Sequence, residues 1–130
     1  MDFRNRVFLA PLTKGGNLPF RRLCLEHGCT VTMGEMAYAY QVVRKSRSEL
    51  ALLRKHEDET CFGAQIAAMR IDDAVKAGAE AVDRGASWID LNCGCPIHDI
   101  VKRRMGRLCC ASPRSWRGWS KAWSRASRCP

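Results

Sequence analysis

Nowhere in this chain is there a run of the roughly 18 consecutive apolar residues that a membrane-spanning helix needs, so no membrane partner is expected. The first residues, Met1-Asp2-Phe3-Arg4-Asn5-Arg6, lack the apolar centre of a secretory signal. An intracellular protein, cytoplasmic or nuclear and not secreted, is therefore expected. The G-x-G-x-x-G fingerprint of a dinucleotide-binding sheet is missing, because Gly15-Gly16 is followed by Asn-Leu-Pro. The Lys-Ser/Thr of a phosphate-binding P-loop is missing as well. The chain has 130 residues, too few for a complete (β/α)₈ barrel of about 200–250. Any barrel pattern here is incomplete.

Acidic residues are scarce in one region only. Net charge is +9, from 22 Lys and Arg against 13 Asp and Glu. Six of the basic residues and none of the acidic ones lie in Arg107–Pro130, which leaves +3 for residues 1–106. The same tail holds Trp116, Trp119 and Trp123 and three of the eight cysteines. The composition therefore divides the chain near Gly106 into a 1–106 domain and a basic 107–130 tail rich in Trp, Ser, Arg and Cys. Eight cysteines could form a disulfide framework, but with no secretory signal they are expected as reduced thiols.

Residues 1–106 alternate short β-like runs with amphipathic helical ones. Arg6–Leu12 reads as a first strand, stopped by the turn Thr13–Asn17. Pro19 opens a helix over Phe20–His27, with Phe20, Leu23 and Cys24 on one face and Gly28 as its stop. Thr30–Met36 is a second strand-like run, and Ser46–His56 a helix with Leu50 and Leu53 on one face. Cys61–Ala67 is a third strand. Asp72-Asp73 cap a helix bearing Ala74, Val75, Gly78, Ala81 and Val82, which Gly85 closes, and Trp88–Cys93 is the fourth strand. About four βα units of this kind predict a parallel sheet covered by helices. Polar and special residues gather at the strand ends, in Pro11-Leu12-Thr13, Glu35, Gln65 and Asn92–Cys95. The C-terminal rim is where a barrel carries its chemistry. The expected fold is thus α/β: the N-terminal half of a (β/α)₈ TIM barrel, truncated, with an atypical basic tail.

Asp90-Leu91-Asn92-Cys93-Gly94-Cys95-Pro96 is the most specific stretch. A cysteine between Gly94 and Pro96, just past a strand, sits on a tight turn where its thiol can exchange a proton with a bound molecule. Taken alone, Cys95 reads as a buried structural thiol, Gln65 as a partner for a neighbouring strand, and Glu35 as half of an ion pair with an Arg or Lys. Cys93, Cys95 and His98 do not make a zinc site, since C-x-C-x₂-H lacks the usual C-x₂₋₄-C spacing and a fourth ligand.

Together these segments resemble the tRNA-dihydrouridine synthase family, and most closely its eukaryotic tRNA-dihydrouridine(47) branch. The resemblance rests on Leu9-Ala10-Pro11-Leu12-Thr13, on Leu18-Pro19-Phe20-Arg21-Arg22-Leu23-Cys24, on Glu35-Met36, on Gln65, and on Asn92-x-Gly-Cys95-Pro96, in that order. It implies an FMN-dependent barrel that reduces a uridine of tRNA to 5,6-dihydrouridine, with NADPH or NADH as reductant. It also implies roles. Pro11, Leu12 and Thr13 run along the flavin with their backbone groups, and Gln65 bonds the polar edge of the isoalloxazine. Asn92 helps hold the base. Cys95 is the general acid that protonates C5 of the uracil while hydride reaches C6. The cofactor carries the hydride and the protein supplies position and one proton, and the target base must leave its stack to reach the site.

From Arg107 the resemblance stops. The later barrel strands, their lysine and histidine, the phosphate site and the tRNA-gripping domain are not present, so the chain by itself is expected to hold no stable FMN and to be inactive. A reading-frame slip after Gly106 is the expected source of the break, since codons permitted for this tail can be chosen so that a neighbouring frame reads as an amphipathic helix. Two other functions fit less of the pattern. One is a small non-catalytic basic protein binding RNA or a partner through Trp and Arg of the tail. The other is a different FMN barrel, such as a dihydroorotate dehydrogenase.

Overall fold

The computed structural model describes residues 2–95 together with His98, Lys102, Met105, Arg117 and Lys121. The expected tail, 107–130, therefore lies almost wholly outside the described residues. In chain order the elements are α1 (Leu18–Glu26), β1 (Thr32–Met33), β2 (Ala37–Tyr38), α2 (Ala39–Val43), α3 (Arg47–Leu52), β3 (Phe62–Ala67), α4 (Ile71–Asp83) and β4 (Trp88–Leu91).

Helix α1 begins where Asn17 accepts the Phe20 N–H (3.1 Å) and Pro19 occupies the first turn. It ends in a Schellman motif: Gly28 takes φ +90°, and the N–H groups of Gly28 and Cys29 return to the carbonyls of Leu25 and Cys24. Helix α4 ends the same way at Gly85, φ +94°, with Gly85 and Ala86 bonding Val82 and Ala81. Its start differs from expectation. Arg70 is the N-cap, without a side-chain cap bond, while Asp72 and Asp73 lie inside the first turn. There they face the positive end of the helix dipole. The inward face also differs: Ala74, Ala77, Gly78 and Ala81 are buried while Val82 is 55% exposed. On α1 the buried residue is Arg21, and Leu23, expected inward, is 49% exposed.

All strand pairings are parallel. β1 and β2 lie on one side of β3 and β4 on the other. The register runs Thr32↔Phe62 and Met33↔Gly63, then resumes at Ala37↔Ile66 and Tyr38↔Ala67. Three residues, Gly34–Met36, thus oppose two, Ala64 and Gln65, and the second expected strand is one strand split by a bulge. The first expected strand contracts to a single bridge, Phe8↔Val31, held by Leu9, Thr30 and Val31 N–H groups. It has a neighbour on one side only among the described residues, and Pro11 can donate nothing to a ladder. The expected Ser46–His56 helix is shorter, Arg47–Leu52, and α2 precedes it. Lys45, at φ +59°, separates the two. Across the sheet the order is Val7–Leu9, β1/β2, β3, β4, which is chain order without reversal.

The sheet has two unlike faces. Phe62, Ala64 and Ile66 of β3, with Ile89 and Leu91 of β4, pack under α2 and α4 against Val42, Leu53 and the alanines of α4. The opposite face carries Gly63, Gln65 and Ala67 beside Trp88 and Asp90. At its lower end Trp88 lies over Gly63 and meets Phe3 edge-on, ring centroids 5.6 Å apart. A Cβ on Gly63 would stand 2.4 Å from the Trp88 indole. Gly63→Ala is therefore expected to cost about 1–3 kcal/mol by overpacking, measurable as a fall in the urea midpoint at unchanged slope. An unchanged midpoint would contradict this packing.

A buried ion pair ties α1 to the sheet. The Arg21 guanidinium donates to Glu59 (2.8 Å), Gly16 O (3.0 Å) and Arg54 O (2.6 Å), and lies 4.8 Å from the Phe62 ring centroid. Glu59 also accepts from Thr32 Oγ1 (2.6 Å) and His56 N (2.8 Å). Burial pushes the Glu59 carboxyl up, but the bonds from Arg21, Thr32 and His56 outweigh it and hold the group below the usual glutamate range. Glu49 behaves oppositely: burial raises it, and the single N–H of Tyr38 (2.6 Å) opposes that only in part.

Candidate active site

Gln65 and Asp90 stand in the C-terminal halves of β3 and β4, with Asn92 just past the end of β4, and the register sets Gln65 opposite Asp90. Residues two apart on a strand share a face, so Asp90 and Asn92 both approach Gln65. The Gln65 Nε2 donates to Asp90 Oδ2 (2.6 Å), and Asn92 Nδ2 donates to Gln65 Oε1 (3.2 Å). The Gln65 side chain is buried, and its amide nitrogen also lies 4.0 Å from Met33 Sδ. Asn92 Oδ1 then accepts the backbone N–H groups of Gly94 (3.3 Å) and Cys95 (3.0 Å). This is an Asx-type turn, and it gives the segment after β4 its fold. Cys95 is half-buried and packs on the cluster of Met36, Ala67 and Met105. Cys24, Cys29 and Cys95 carry free thiols. Pro96, the last residue of the motif, lies outside the described residues.

Pro11, Leu12 and Thr13 form the other part. Pro11 is half-buried while Leu12 and Thr13 are exposed. Leu12 O accepts from Gly15 (3.2 Å) and Gly16 (2.7 Å), and a Cβ at Gly16 would come within 2.9 Å of that oxygen. Glu35, which the sequence suggests as half of an ion pair, does something else. Its Oε2 accepts the backbone N–H of Lys14 (2.6 Å), a residue at φ +63°. Glu35 therefore ties the loop to the bulge. β1 and the bulge after it border the site: Met33, the last residue of β1, lies beside Gln65, while in the bulge Glu35 holds the Lys14 turn and Met36 supports Cys95.

The structure thus gathers Gln65, Asn92 and the Cys95 backbone into one bonded group, and ties the Lys14 turn that follows Pro11–Thr13 to the neighbouring bulge at Glu35. Asp90 is the member to which sequence reading gives no role, and Glu35, placed by it at a strand end as half of an ion pair, holds a backbone N–H instead. Asp90 had a signal, since it lies one strand period before Asn92. Among the described residues no three His, Cys, Asp or Glu side chains converge as metal ligands, and no helix is long and apolar enough to cross a membrane.

The chain matches the dihydrouridine synthase (Dus) family over residues 8–126. The match runs past Gly106, so the break in composition is not where the family resemblance ends. Among curated relatives, the tRNA-dihydrouridine(47) synthase [NAD(P)(+)]-like protein of Arabidopsis thaliana is 46% identical over 108 residues, 82% of this chain and 16% of its own length. Its Homo sapiens counterpart is 43% identical over 108 residues, 82% of this chain and 16% of the relative. The tRNA-dihydrouridine(47) synthase [NAD(P)(+)] of Coprinopsis cinerea is 39% identical over 109 residues, 82% and 16%. The chain thus spans about a sixth of the curated relatives it matches. A family match over most of the chain, with the strand-end cluster at its centre, leaves one conclusion: this chain belongs to the dihydrouridine synthase family.

Proposed function

We propose that this chain supplies the first half of an FMN-binding (β/α)₈ barrel that reduces a uridine of tRNA to 5,6-dihydrouridine at the expense of NAD(P)H. The observation that carries the reading is the group Gln65–Asn92–Cys95 at the C-terminal end of parallel strands laid out in chain order. A doubly wound sheet reverses its order at a switch point, and that crevice is where it binds ligands; a barrel does neither.

The residues present suit a flavin. Gln65 is buried, yet one of its N–H groups has only a thioether at 4.0 Å as neighbour, a weak acceptor that a carbonyl or ring nitrogen would replace. Gln65 and the backbone of Pro11, Leu12 and Thr13 would hold the cofactor. FMN supplies hydride chemistry when bound. The chain's own residues do the rest. Cys95 Sγ holds the proton destined for C5 of the uracil. Asn92, fixed by Gln65 on one side and the Gly94–Cys95 turn on the other, holds the base against that thiol. The half-burial of Cys95 on Met36, Ala67 and Met105 limits water at the sulfur.

The test is a graft. Residues 8–106 replace the aligned segment of the Arabidopsis relative, and dihydrouridine in tRNA is measured by mass spectrometry. Dihydrouridine is expected to form. A folded, flavin-loaded graft that leaves every tRNA uridine unreduced removes the proposal.

A further inference from the structure

Gln65, Asn92 and the turn at Cys95 form a chain of hydrogen bonds whose direction is imposed from both ends. At one end Asp90 is a carboxylate, which only accepts. It takes the Gln65 Nε2–H at 2.6 Å, so the Gln65 oxygen must point the other way. At the other end stand the backbone N–H groups of Gly94 and Cys95, which only donate. They take Asn92 Oδ1, so the Asn92 amino group must point back to Gln65 Oε1. Neither amide can flip without setting donor against donor or acceptor against acceptor. Met33 Sδ, the other neighbour of Gln65 Nε2, is at 4.0 Å and too weak to choose between the two orientations.

We propose that Asp90 is a positioning residue: its carboxylate sets the direction of the chain Asp90–Gln65–Asn92–Cys95, and so aims the Gln65 amide and shapes the turn that carries the Cys95 thiol. Gln65 is left with one N–H to give and presents itself to a ligand as a donor. The consequence for uridine reduction rests on the proposed function. The chain of bonds itself does not.

The experiment follows amide hydrogen exchange by NMR in the full 130-residue chain, without flavin or tRNA. Asp90→Asn replaces the charged acceptor by a neutral amide that can turn either its oxygen or its nitrogen to Gln65, so the order is then held from the Gly94–Cys95 end alone. The Cys95 N–H is then expected to exchange about tenfold faster, the equivalent of one charge-assisted hydrogen bond, while α4 amides keep their protection. Gln65→Glu sets two carboxylates against each other and is expected to have the same effect. The two substitutions combined restore a carboxylate that accepts from both amides, and should bring Cys95 exchange back to within about threefold of the parent. A residue that only filled space would show no such rescue.

Unchanged Cys95 exchange in Asp90→Asn, or no recovery in a folded double variant, overturns the proposal. The parent gives a second reading that needs no variant to fold. One Gln65 side-chain proton should resonate well downfield of its partner, and two protons at the positions of a free amide would overturn it as well. Because the exchange experiment contains no cofactor, its outcome is independent of whether the graft makes dihydrouridine.

Discussion

Glu59→Ala is expected to destabilise the fold by about 3–5 kcal/mol, the loss seen when one partner of a buried ion pair is removed. The Glu59 and Arg21 side chains are 0% and 2% exposed. Without the carboxylate, the guanidinium stays buried above Phe62 with only the Gly16 and Arg54 carbonyls as acceptors. Thr32 Oγ1 and His56 N lose their acceptor at the same time. A domain's whole stability is about 5–15 kcal/mol, so the variant is expected to be largely unfolded or to melt in the first molar of urea. A loss below about 1 kcal/mol, the worth of a surface pair, would show that the pair is not desolvated as described.

The same pair predicts how stability depends on acid. The folded-state pKa of Glu59 lies below its unfolded value. Its contribution is therefore complete above the ordinary glutamate pKa of about 4.3 and is lost as pH falls through the lower folded value. Glu49 has the opposite sign. Its folded pKa is raised by burial, so its penalty is full above that value, shrinks as pH falls from there towards the unfolded one, and is gone below it.

How much of the structure is legible in the sequence depends on range. The strand-end residues can be placed because period and order are local, and the two Schellman glycines likewise announce themselves. Helix α2 cannot. Tyr38, Tyr40, Val42 and Val43 are residues that favour strands, and the turn into helix is set by Glu49, which accepts the Tyr38 N–H from eleven positions away. Arg21 and Glu59 are separated by 38 positions, and nothing near either one marks it for burial. Alternation in Trp88–Asn92 is visible, but the run also reads as a continuous apolar strand, and that hides Asp90. The break at Gly106 is real in composition, yet the family match continues to residue 126. Charge and Trp content describe a segment's solubility and partners better than its ancestry.

In the grafted enzyme, Cys95→Ala is expected to slow dihydrouridine formation by about 10²–10⁴, the usual worth of a positioned general acid. The geometry makes this a clean chemical test. The turn after β4 is held by Asn92 Oδ1 on the backbone N–H groups of Gly94 and Cys95, and these bonds do not involve the thiol. Alanine removes the proposed proton donor and leaves its scaffold, so flavin content and the melting temperature should stay at parent values. Asn92→Ala is the contrasting case. It releases both backbone donors together with the Gln65 contact, so it should loosen the turn as well as slow the reaction. Cys95→Ser keeps an O–H in the same place but far above a thiol in pKa, and is expected to recover only part of the rate. Single-turnover measurement of dihydrouridine on tRNA separates the three. A Cys95→Ala enzyme within about tenfold of the parent would assign the proton to another group and leave Cys95 as packing against Met36 and Met105.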